Sequence, residues 1–148
     1  MGLEEEFESG LYDGPPAKDL LVRLLKARRI RPTEQRVALA RLVFSRRWHF
    51  AAEDLGELAK GSGFAVSMPT VYSTLNLFVR KGLLKELVVD PRRTLYDSNI
   101  QEHCHIWDAR TGSIVDVDMG AVTVRDAGKW GLEGVETCDV LVRIRRSS

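Results

Sequence analysis

The chain has 148 residues, 44% of them hydrophobic and 29% charged, with a formal net charge of +1, a composition that belongs to a folded globular protein and excludes extended disorder. No apolar run approaches the roughly 18 residues that span a bilayer, and the opening "MGLEEEFESG" is acidic where a secretory signal is basic and then apolar. A cytoplasmic protein without a membrane partner is expected, built as one domain or two small ones.

The charge is segregated along the chain. Residues 1–16 carry a net −5, residues 17–96 a net +9 and residues 97–148 a net −3. The middle block reads as an anion-binding surface, most economically for the nucleic-acid backbone, or else as a solvated helical face.

After the chain-breaking "GPP", residues 17–29 place Leu20, Leu21, Leu24 and Leu25 on one helical face, ringed by Lys18, Arg23, Lys26 and Arg29. A second helix is expected in "RPTEQRVALARLVFS", with Thr33 as N-cap and Val37, Ala40 and Phe44 on a shared face. A third, "AAEDLGELAK", turns Leu55, Leu58 and Ala59 inward and stops near Gly61 and Gly63.

A fourth helix lies in "VSMPTVYSTLNLFVRKGLL". Ser67 caps it, Pro69 is tolerated in its first turn, Val71, Leu75 and Phe78 are buried, and Gly82 ends it. Its other side presents Thr70, Tyr72, Ser73, Asn76 and Arg80, groups suited to base edges and phosphates in a major groove. "LLKELVVD-PRR-TLYD" then alternates like a hairpin with Pro91, Arg92 and Arg93 at its turn. Three helices, an exposed helix and an arginine-tipped hairpin are the order of a winged helix-turn-helix, whose wing Arg92 and Arg93 would reach phosphate or a narrow minor groove.

The hairpin ends at Asp97, and "SNIQ" leads to "EHCHIWD". If residues 103–107 form a strand, His103 and His105 share one face and Cys104 the other. Two imidazoles about 7 Å apart along a strand can share one cation if other groups complete the shell; they can equally face solvent. The third histidine of the chain, His49, stands at the entry to the third helix. Three imidazoles and a carboxylate suit Fe(II), Mn(II), Zn(II) or Co(II), whereas magnesium and calcium sites are built from oxygen.

Two cysteines, Cys104 and Cys138, make neither a disulfide framework nor a CxxC zinc site, and read as free thiols. Near the end, "GAVTVRDAGKWGLEG" has glycines that argue against a long helix, and "CDVLVRIRR" alternates as a strand with one buried face.

"RPTEQRVALARLVF", "HFAAEDL", "VSMPTVYSTLNLFVRKGLLKEL", "TLYD" and "EHCH" resemble, in order and approximate spacing, the signatures of the ferric uptake regulator family of bacterial transcription factors, over roughly residues 18–117. The resemblance implies an α+β protein: an acidic N-terminal extension (1–16), a winged helix-turn-helix DNA-binding domain (17–97) and a small α/β dimerisation and effector-sensing domain (98–148). It implies a homodimer on a near-palindromic double-stranded DNA operator, with Tyr72 contacting bases and Arg31 reaching the DNA. His49, Asp97, His103 and His105 match that family's regulatory site, with Asp97 standing where many members have glutamate.

Where many members place a CxxC zinc motif, this chain has Asp108 and Thr111, so no such structural zinc is expected. The missing cysteines, "SMPTVYSTLNLF" and the basic "CDVLVRIRR" look most like the iron response regulator (Irr) branch, which implies control of iron and haem metabolism and haem as an alternative effector. That branch's three consecutive histidines here have Cys104 in the middle, and its N-terminal Cys-Pro haem motif is absent from this sequence. Cys104 and Glu102 are candidate haem or second-site ligands. Rival readings are a manganese, zinc or peroxide regulator of the same family, a DNA-binding protein that senses nothing, and a non-haem iron enzyme.

Overall fold

The structure, a computed structural model, describes residues 2–131, 133–134 and 140–147; Cys138 lies outside them. It divides into two compact units, Met1–Ile100 and Gln101–Ser148.

The first unit orders α1 (Leu3–Gly10), α2 (Lys18–Ala27), α3 (Glu34–Val43), β1 (His49–Phe50), α4 (Ala52–Gly61), α5 (Met68–Arg80), β2 (Lys85–Asp90) and β3 (Arg93–Asp97). Helices α3, α4 and α5 begin where their sequence supplies a partner for orphan backbone donors. Thr33 accepts from the Arg36 N–H at 3.3 Å and Ser67 from the Thr70 N–H at 3.4 Å, while Asp54 reaches back to the Ala51 N–H at 2.8 Å. The stripes of α2, α3 and α5 meet in one core containing Leu21, Leu25, Leu39, Val43, Val71, Leu75 and Phe78. Gly82 closes α5 at φ +71°, a left-handed conformation costly for a side chain with a Cβ.

One expectation needs correction here. Leu58 is 39% exposed, because α4 packs through Ala52, Leu55 and Ala59 and leaves Leu58 at the rim of that stripe. In the acidic extension, α1 is tied to α2 by the Arg23–Glu6 ion pair, and the segment after it bonds from the Tyr12 N–H to the Phe44 carbonyl at 3.0 Å. The first unit runs to Ile100.

A three-stranded sheet of order β1-β3-β2 completes this unit. β2 and β3 form the expected hairpin, where Asp90 stabilises the turn by accepting from the Arg92 N–H at 2.9 Å. Arg93 is the first residue of β3, paired with Asp90, so only Pro91 and Arg92 form the turn itself. The two-residue β1, which the periodicity gave no sign of, sets His49 opposite Asp97 and Phe50 opposite Tyr96.

The second unit is a sheet of order β5-β4-β6, from β4 (His103–Asp108), β5 (Ile114–Asp118) and β6 (Leu141–Ile144), with 3-10 turns at Met119–Ala121 and Ala127–Lys129. β5 pairs antiparallel and β6 parallel to β4. On one face of the sheet Val142 is 39% exposed and Val115 56% exposed, with Ile144 partly buried.

At the end of β4, Asp108 holds the turn by hydrogen bonding and charge. It is buried, accepts from the Arg110 N–H at 2.9 Å and meets Arg146, beyond β6, at 3.4 Å. We expect Asp108→Ala to lower stability by about 1–3 kcal/mol, since it leaves the turn's donor unpaired. A urea midpoint indistinguishable from that of the parent would show the turn to be held otherwise.

Candidate metal centre

Strand alternation puts His103 and His105 on one face of β4, both buried. Their Nε2 atoms stand 2.9 Å apart. Antiparallel register places Asp116 of β5 directly opposite His105, and its Oδ1 lies 3.3 Å from His103 Nε2 and 3.5 Å from His105 Nε2. Donors that share an ion at roughly 2.0–2.2 Å stand about 3 Å from each other. This trio is spaced in that way.

The His103 ring is oriented by its other nitrogen. Nδ1 lies 2.6 Å from the Gln101 carbonyl oxygen, which can only accept, so Nδ1 donates there and Nε2 is the nitrogen turned toward His105 and Asp116. Fixing the tautomer through a backbone carbonyl is how metal-ligating histidines are commonly prepared.

In the first unit a second cross-strand pair offers donors. His49 Nε2 is 3.3 Å from Asp97 Oδ2, and Asp97 is fully buried. Its other oxygen accepts from the Asn99 N–H at 2.8 Å. Ser98 beside it is clamped to the loop before β1: its Oγ accepts from the Trp48 N–H at 3.1 Å and donates to the Arg46 carbonyl at 3.0 Å, and its own carbonyl accepts from the Tyr12 hydroxyl at 2.8 Å. Imidazole and carboxylate donors suit a borderline divalent ion in both units.

Cys104 points away from the histidines. Its thiol is buried 3.1 Å from the Met119 sulfur, while Glu102 is exposed and precedes the strand. The structure does not bring those two together with the imidazoles.

On the helical side, Tyr72 is 41% exposed and its hydroxyl donates to Glu53. That bond holds the Glu53 carboxyl below its ordinary range and the Tyr72 phenol above its own. Ser73 donates to the Thr70 carbonyl at 3.1 Å, the Thr70 hydroxyl shares a bond with Ser67, and Asn76 faces the Tyr96 hydroxyl at 3.5 Å. Arg31 and Arg80 are exposed. At the hairpin, Arg92 lies 3.4 Å from Asp90, and Arg93 lies 3.9 Å from Asp54.

Three participants escaped the sequence reading: Asp116, Ser98 and Glu53. The alternation of "IVDVD" could have put Asp116 on one face of a strand, yet only the pairing register sets it against His105. Ser98 and Glu53 act across 50 and 19 residues of sequence.

Comparison with known proteins matches residues 27–145 to the ferric uptake regulator family. The peroxide-responsive repressor PerR of Staphylococcus aureus is 32% identical over 87 residues, 59% of this chain and 59% of that protein. The chain thus spans less than two thirds of the length of the curated relatives it matches. Among solved structures, the ferric uptake regulator of Pseudomonas aeruginosa with manganese superposes with a TM-score of 0.71 at 21% identity, covering 85% of this chain and 97% of that one. A zinc-bound manganese uptake regulator gives 0.63 at 26% identity, covering 86% and 98%. At 21% identity the Pseudomonas structure shows the fold alone, an α+β architecture with a winged helix-turn-helix.

Proposed function

The chain belongs to the ferric uptake regulator family, and on that premise we propose that it is a cytoplasmic, homodimeric transcriptional regulator whose affinity for a near-palindromic operator is set by a divalent metal. The observation that carries this is the His103–His105–Asp116 cluster with its tautomer fixed by the Gln101 carbonyl. His49, Asp97, His103 and His105 are the proposed ligands of one regulatory ion, with Asp116 added to the set. When bound, Fe(II), Mn(II) or Zn(II) would supply the positive charge that these imidazole and carboxylate donors suit. A ligand whose donors come from both units favours arrangements in which all of them reach it, which is the differential affinity a switch requires.

Within the family we assign the chain to iron and haem control, on the likeness to the iron response regulator branch, with haem as the alternative effector and Cys104 or a histidine as its axial ligand. The likeness to the Staphylococcus aureus PerR supports a second reading, a response to peroxide. Two histidines and a carboxylate also compose the iron site of some oxygenases. Membership of a family of DNA-binding regulators favours regulation over turnover.

The test is to titrate metal-free protein under anaerobic conditions with Mn(II), Fe(II) and haem, following tryptophan emission, and then to measure salt-dependent DNA binding with and without the ion. Trp48 adjoins His49 and Trp107 lies two residues past His105. Saturable quenching together with ion-dependent DNA affinity is expected; silence toward all three would remove the sensing role. Loss of DNA affinity on brief exposure to hydrogen peroxide would move the assignment to the peroxide branch. For the recognition helix, Tyr72→Ala should weaken specific binding by about 1–3 kcal/mol and non-specific binding far less. Equal losses on both would take Tyr72 out of base readout.

A further inference from the structure

Resting on the DNA-binding reading, we propose that Glu53 is a specificity determinant: by accepting the one hydrogen bond that the Tyr72 hydroxyl can donate, it makes the exposed end of that side chain an acceptor, selecting base edges that carry an exocyclic amine. A phenol has one proton to donate and lone pairs to accept. In this chain the hydroxyl donates its one hydrogen bond to Glu53, so toward a base only lone pairs are left. In the major groove the complementary donors are adenine N6 and cytosine N4, whereas guanine N7 and O6 and thymine O4 are acceptors. The carboxylate adds further acceptor capacity at the same place.

Glu53 is held there by construction. It lies in the first turn of α4, whose start is fixed by the neighbouring Asp54 accepting from the Ala51 N–H at 2.8 Å. Asp54 also meets Arg93 of the wing at 3.9 Å. Two consecutive acids of one helix thus engage both elements expected to meet DNA, the tyrosine of α5 and the arginine of β3. An acid beside the residues expected to meet DNA lowers affinity for every duplex through phosphate repulsion. It offsets that loss only where an amine stands opposite, which is discrimination by exclusion.

The test is selection from a randomised duplex library with the full-length protein, with Mn(II) and without metal, using the parent, Glu53→Gln, Tyr72→Phe and the double variant. The parent should enrich a motif with at least one position restricted to adenine or cytosine on the contacted strand. Glu53→Gln should bind non-specific duplex more tightly and lose that restriction about tenfold or more, a change of about 1.4 kcal/mol. Tyr72→Phe should lose the same preference, and the double variant no more than either single one, because the pair acts as one unit. A Glu53→Gln motif identical to the parent's, with affinity raised evenly for all sequences, would overturn the proposal, as would additive losses in the double variant. A parent that enriches no sequence in either condition would remove the DNA-binding reading and this proposal with it.

Discussion

His105→Ala is expected to leave the chain folded while weakening Mn(II) binding at least about a hundredfold. Removing a group that merely orients a ligand typically costs 10–100-fold in metal affinity, and His105 presents its own nitrogen 2.9 Å from His103 and 3.5 Å from Asp116. Without it, the proposed set loses one of its three imidazoles, and a borderline ion that favours nitrogen donors is held less tightly. The fold should survive, because the backbone of β4 pairs on both sides and the main apolar core lies in the other unit. DNA binding should then lose its dependence on the ion, matching parent protein stripped with a chelator. Calorimetric titration settles the point, with the thermal midpoint as control for folding. An unchanged affinity would exclude His105 from the site.

Phe78→Ala should cost about 3–5 kcal/mol of stability, a large part of the 5–15 kcal/mol available to a typical domain. Phe78 is fully buried and stacks on Phe44 with ring centroids 6.2 Å apart, joining α5 to the end of α3. The cavity would open under the helix that presents Tyr72, so specific DNA binding should fail as the first unit unfolds. Urea denaturation followed by far-UV circular dichroism measures this as a lowered midpoint. A loss below about 1 kcal/mol would mean that the helices close over the void more completely than cores of this density normally do.

How much of this was legible beforehand follows the range of each interaction. Helices α2 to α5 could be read because their signals are local: Thr33 and Ser67 cap, Gly82 terminates, and leucines recur at helical spacing. The wing was legible from its alternation, and the shared face of His103 and His105 from the period of two. What stayed hidden depends on partners far away in sequence. β1 exists because Phe50 and His49 pair with residues nearly fifty positions on, and no two-residue strand can announce itself by periodicity. Asp116 needed the β4–β5 register, and Glu53 needed the packing of α4 beside α5. The contacts of the acidic N-terminus were hidden for a related reason. Its composition gave no apolar stripe, and the contacts that fix it, to Arg23, Phe44 and Ser45, lie outside its own sequence.

Both carboxylate–imidazole pairs, His49 with Asp97 and His105 with Asp116, are residues directly opposite one another across an antiparallel ladder. This determines which genetic changes the centre can absorb. Swapping one oxygen or nitrogen donor for another adjusts affinity while the partner still faces it. Gaining or losing one residue in the turn between β4 and β5 shifts the register and sends every side chain of a strand to the other face, unless a bulge absorbs the change. Descendants of this chain should therefore vary more freely in the identity of their donors than in the number of residues that separates Asp108 from Ile114.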